Sequence, residues 1–86
     1  MKKLVTEVEN EGLMKLMGKK VMLMCACYFY TGKLMGVNET CILLEDPSIV
    51  YETGKFEDGL WKDEQSLCAK EWYVQTAMIE SFGESK

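Results

Sequence analysis

The chain has 86 residues, 48% of them hydrophobic and 28% charged, with a net charge of −4, ten lysines and no arginine. That balance excludes a disordered chain, and no apolar run reaches the roughly 18–20 residues of a membrane helix. The length fits one small domain, residues 1–86.

Residues 1–9 alternate weakly and are expected to form an N-terminal arm. They turn acidic at Glu7, unlike a secretory leader, so the expected compartment is the cytoplasm, with thiols reduced. Residues 10–18 predict a short helix: Asn10 as N-cap, Glu11 in the first turn, Gly18 as the stop, and Leu13, Met14, Leu16 and Met17 as an apolar stripe.

From Lys19 the period falls to two. Residues 20–27 predict a strand covered on both faces, with Cys25 and Cys27 pointing the same way. A second strand is expected over 29–37, and it contains Gly32 and Gly36. Glycine inside a strand marks a bulge, a sharp bend or a close backbone approach, and a small closed barrel needs such bending. Asn38, Glu39 and Thr40 make a tight connection. A third strand over 41–46 bends or bulges at Pro47 and resumes over 48–53. Residues 54–66, with turn signals at Gly54–Lys55 and Asp58–Gly59, predict a protruding loop or hairpin in which Phe56, Leu60 and Trp61 are not wholly exposed. A fourth strand over 67–76, a fifth over 77–82 and a tail over 83–86 complete the chain. The expected fold is mainly β: a short N-terminal helix and five strongly bent antiparallel strands closing as an SH3-like or oligonucleotide-binding-type barrel, because closure removes sheet edges.

The sequence offers little chemistry. It has no histidine, which removes the usual general acid–base of neutral pH and any Cys–His or Ser–His pair. Cys25, Cys27, Cys41 and Cys68 are scattered, and Cys-Ala-Cys is not a zinc knuckle, so they are expected to pack as small hydrophobes. No enzyme activity, metal, cofactor or small-molecule substrate is expected.

The order of elements across residues 10–46 is more specific. A helical stretch ends in Gly18–Lys19, an alternating strand contains Val21, then come Gly32, Leu34 and Val37, and finally Leu44, Glu45 and Asp46. Together these resemble the first sequence motif of the Sm/LSm-like family. The resemblance implies a bent five-stranded barrel capped by a helix. It also implies a homo-oligomeric ring in which the last strand pairs with the fourth strand of a neighbour. The candidate interface is Trp72, Val74, Met78, Ile79 and Phe82. Single-stranded RNA is the partner the resemblance implies, held by the loop after Val37 and the loop between the last two strands. The matching positions are Asn38 and Thr40 in one loop and Gln75 and Thr76 in the other.

This chain departs from the family at those loops. Asn38 stands where Asp is usual, the loop is about one residue short, Cys41 falls near the usual Asn, and Gln75–Thr76 replaces Arg-Gly or Lys-His. Asn, Gln and Thr still pair with base edges, sugar or phosphate, whereas Glu39 repels phosphate. Lys33 with Tyr28, Phe29 and Tyr30 is a second candidate contact for RNA, or else an ordinary mixture of core and turn residues. Two functions follow. One is a ring-forming RNA-binding protein with altered base contacts. The other is a structural or protein-interaction ring that has lost RNA binding, with the acidic 52–71 region as a docking hairpin.

Overall fold

A computed structural model describes residues 12–86; the expected arm over 1–9 and the start of the expected helix lie outside the described residues. The chain forms one antiparallel sheet of six strands: β1 (Lys20–Cys25), β2 (Phe29–Val37), β3 (Cys41–Glu52), β4 (Asp63–Ser66), β5 (Glu71–Gln75) and β6 (Ile79–Glu84). The order is β4-β3-β2-β1-β6, with β5 also on β3. The mainly β, antiparallel expectation holds.

Several expectations need correction. In place of an α-helix over 10–18, the described part is a five-residue 3-10 turn, Gly12–Leu16. Gly12, the first residue of that turn, adopts φ +62°, a left-handed conformation foreign to the interior of a right-handed helix. Gly18 does end the segment in the left-handed region, at φ +81°. Six strands occur instead of five, because the expected loop over 54–66 contains β4. Conversely, the expected strand over 67–76 begins only at Glu71, after Cys68 turns left-handed at φ +55°. The last strand is Ile79–Glu84, since Thr76–Met78 is a 3-10 turn, and it runs into the expected tail. Finally, β1 stops at Cys25, so Cys25 is buried while Cys27 is exposed, and the two do not share a strand face.

The core lies where alternation places it. Val21, Leu23 and Cys25 of β1 meet Leu34, Ile42, Leu44 and Val74 in one cluster, with Leu13, Leu16, Tyr30, Val37 and Ile79 packed around it. Met22, on the other face of β1, is also buried, so this strand is covered on both sides as its two apolar faces predict.

β3 is long enough to carry β5 on its first half (Cys41↔Gln75 to Glu45↔Glu71) and β4 on its second (Ser48↔Ser66 to Glu52↔Asp63). The handover falls at Asp46–Pro47. Asp46 has φ +52°, and the β2–β3 register jumps there by three residues on β3 against two on β2, from Thr31↔Ser48 to Lys33↔Glu45. That is a bulge, and it bends the strand. Its backbone groups remain paired: Asp46 N–H donates to the Lys70 carbonyl at 3.2 Å, and the Pro47 carbonyl accepts from Leu67 N–H at 2.9 Å. A second irregularity adds a residue on β2 between Leu34 and Gly36. Gly32 faces the first bulge across the ladder. A Cβ built on it would lie 3.0 Å from Leu44 Cβ and 3.2 Å from the Glu45 carbonyl. Of the two glycines in β2, it is the one at a close approach.

Candidate nucleic-acid interface

The connection between β2 and β3 is organised by one side chain. Asn38 Oδ1 accepts hydrogen bonds from Thr40 N–H (2.8 Å), Cys41 N–H (2.9 Å) and Thr40 Oγ1 (3.1 Å). This is the local side-chain-to-backbone bonding for which Asn is favoured in turns. Asn38 N–H also donates to the Cys41 carbonyl at 3.0 Å.

The turn between β5 and β6 docks onto this loop. Thr76 N–H donates to the Thr40 carbonyl at 2.9 Å, and Thr76 Oγ1 donates to the Glu39 carbonyl at 2.8 Å. Four sequence-chosen residues, Asn38, Thr40, Gln75 and Thr76, therefore share one place. Their roles differ. The Asn38 acceptor and the Thr76 hydroxyl are engaged within the chain, whereas Gln75 is exposed and its amide makes no hydrogen bond among the described residues. Lys33 is elsewhere, in a cleft with Lys20, Glu45, Asp46 and Glu64.

That cleft contains a cluster the sequence did not flag. Thr31, fully buried, donates through Oγ1 to Glu64 Oε2, and Lys20 Nζ lies 3.1 Å from the same oxygen. The cluster ties polar β4 to β2 and β1. Nothing in Asp-Glu-Gln-Ser announces a strand, so only the tertiary contact reveals it.

Beside Gln75 runs a cavity of about 290 Å³ lined by Cys25, Cys27, Tyr28, Tyr30, Trp72, Tyr73 and Met78 among others. Tyr28 and Tyr30 meet edge to face, with centroids 6.2 Å apart. Tyr30 packs on the core while Tyr28 is half exposed. Burial pushes the Cys25 thiol up, with the Cys27 charge adding to it, and burial followed by the Cys25 charge pushes the Tyr30 phenol up. Cys25 and Tyr30 therefore stay neutral at physiological pH.

The five candidate interface residues divide. Val74 belongs to the core, and Ile79 packs against it. Trp72, Met78 and Phe82 are exposed. In the β3–β4 connection Trp61 is partly buried, but Phe56 and Leu60 are 61% and 79% exposed, more than their size predicts. Among the described residues no group of three or more Cys, Asp or Glu could hold a metal ion, and no helix is long and apolar enough to cross a membrane.

No protein-family model, curated protein or solved structure matches this chain.

Proposed function

We propose that the protein is a ring-forming, Sm-like module that binds single-stranded RNA through altered base contacts. The observation that carries this reading is a linked pair of edges. Among the described residues β5 pairs only with β3 and β6 only with β1, and the turn joining these outer strands is the one that holds the 38–40 loop. The bulge at Asp46–Pro47 and the irregularity near Gly36 support reading the sheet as a bent, SH3-like or Sm-like barrel. If β6 of one copy adds to β5 of the next, main-chain hydrogen bonds close a ring, and every copy brings its 38–40 and 75–76 loops to the same face. Gln75 then carries the base contact, since its amide offers both donors and an acceptor, while Asn38 shapes the loop.

One observation favours the alternative of a protein-interaction ring. Glu39 is exposed at the loop, and Lys33 sits in the other cleft, so the loop face lacks the cationic track that single-strand binders use.

Native mass spectrometry and binding of short A-rich and U-rich RNAs at two salt concentrations separate the readings. A cyclic oligomer with salt-sensitive binding that weakens in Gln75→Ala supports the first. A ring that binds neither RNA at low salt supports the second. A monomer at all concentrations overturns both.

A further inference from the structure

The β3–β4 connection folds back on the end of β6 through an arrangement separate from the loop face. The Phe56 and Trp61 rings meet edge to face, centroids 5.6 Å apart and planes at 86°. Lys86 Nζ lies 4.1 Å from the Trp61 ring centroid and 6.0 Å from that of Phe56. The same ammonium donates to the backbone carbonyls of Lys55 at 3.0 Å and Phe56 at 3.4 Å. Trp61 Nε1–H donates to Ser85 Oγ at 3.0 Å, fixing the indole. Lys86 forms no ion pair among the described residues, although Glu84 lines the same cavity and Glu57 and Asp58 follow Phe56 in the chain. An ammonium held by two aromatic rings and two carbonyls, rather than by a carboxylate, has the contacts by which aromatic cages recognise alkylammonium groups. Beside the cage lies a cavity of about 350 Å³, to which Met22, Met24 and Phe82 contribute apolar wall, suited to an aliphatic stem.

We propose that Phe56, Trp61 and the carbonyls of Lys55 and Phe56 form a binding site for a primary alkylammonium group, and that Lys86 fills it in cis. The ligand class in trans is a lysine side chain of another polypeptide. Because both ammonium groups need the same ring face, the trans ligand enters only when Lys86 leaves, and Lys86 acts as a competitive latch. The aromatic-ring and carbonyl contacts of this site lie apart from the 38–40 and 75–76 loops, while Phe82 in its apolar wall belongs to β6, the strand that pairs in the proposed ring.

The test uses the full chain, n-butylammonium chloride as the probe, matched sodium chloride as the ionic control and n-butanol as the neutral control. The readout is the indole N–H resonance of Trp61, distinguished from that of Trp72 by a Trp72→Phe spectrum. Lys86→Ala and Lys86→Met each remove the ammonium from the cage; Ala also removes the stem, whereas Met keeps an apolar one. The expected result is a saturable Trp61 shift with butylammonium in both variants. Its half-saturation concentration should be at least tenfold lower than in the parent, and n-butanol should give no comparable shift. Equal half-saturation in parent and variants, no saturable shift in either variant, or an equal response to n-butanol overturns the proposal.

Discussion

Replacing Gly32 with alanine probes the closest backbone approach in the sheet. The added methyl would sit 3.0 Å from Leu44 Cβ, 3.2 Å from the Glu45 carbonyl oxygen and 3.3 Å from Leu44 Cδ1. Ordinary carbon–carbon contact is at about 3.5–4.0 Å. Leu44 is fully buried, so it cannot swing into solvent, and the carbonyl belongs to the backbone of β3 beside its bulge. The strands must separate, and such overpacking costs about 1–3 kcal/mol. Gly32 has no left-handed φ, so alanine also recovers about 0.5–1 kcal/mol of the entropic penalty of a strand glycine. Taking the middle of each range, the net expectation is a loss of about 1 kcal/mol. For a domain of this length that is a fall in melting temperature of about 4–8 °C.

Gly36→Ala is the internal control. Its methyl would meet only Leu43 Cβ, at 3.6 Å, an ordinary contact, so only the entropic gain remains and stability rises by about 0–1 kcal/mol. Urea unfolding followed by far-UV circular dichroism, at one fixed protein concentration, measures both variants. If Gly32→Ala matches the parent, or if Gly36→Ala is the more damaging, then glycine is not at position 32 for close approach and the account of the bend fails.

Thr31→Val keeps the shape of a buried side chain and removes the hydroxyl that donates to Glu64. It should cost about 1–3 kcal/mol and raise amide exchange in β4 before β1; an unchanged urea midpoint would refute that role. Burial, then the Cys27 charge, raises the Cys25 pKa, and burial raises that of Tyr30. The unfolded chain thus loses these protons at lower pH than the native one, and stability falls as pH rises past the ordinary thiol range near about 8.5. Urea midpoints across that range should decline, and iodoacetamide should label the exposed Cys27 and Cys68 while Cys25 resists until unfolding. Asn38→Ala removes the acceptor of three hydrogen bonds and should cost about 1–2 kcal/mol, whereas Asn38→Asp, which keeps the acceptor, should stay within about 0.5 kcal/mol of the parent. An RNA defect in Asn38→Asp without a stability defect would return the base contact to residue 38.

The legible parts of this chain are those governed by burial. Alternation of Val21, Leu23 and Cys25 marks β1 because those residues enter the core, and Pro47 marks the bend in β3 because it has no N–H to give the ladder. Asn38–Thr40 was legible as a turn, but not the engagement of Asn38 Oδ1, because an Asn in a turn has its own backbone as a competing partner. β4 escaped because Asp63–Ser66 has no apolar face; backbone pairing with β3 and the Thr31–Glu64–Lys20 cluster define it. Gly12 falls inside the helix expected over 10–18, yet its positive φ is invisible in composition. The Lys86 cage joins residues some thirty positions apart, and no local period encodes that meeting.

The three outer strands are not equivalent, and the difference bears on the proposed ring. β4 presents Asp63, Glu64, Gln65 and Ser66, the charged and polar chemistry that keeps an edge from recruiting another strand. β5 exposes Trp72 and Tyr73, and β6 exposes Phe82. Their lengths match closely, five residues against six, so a β6 laid on a neighbouring β5 leaves few backbone groups unpaired, whereas four-residue β4 offers less to either. Charge placed on β5 should therefore block association where charge placed on β4 does not. Tyr73 is 65% exposed, so Tyr73→Glu leaves the core intact. It should convert the proposed ring to monomer in native mass spectrometry with an unchanged far-UV spectrum, while Gln65→Glu keeps the parent mass. An assembly that survives Tyr73→Glu and dissociates with Gln65→Glu would place the contact on the edge that looks protected, and the pairing of β5 with β6 would have to be abandoned.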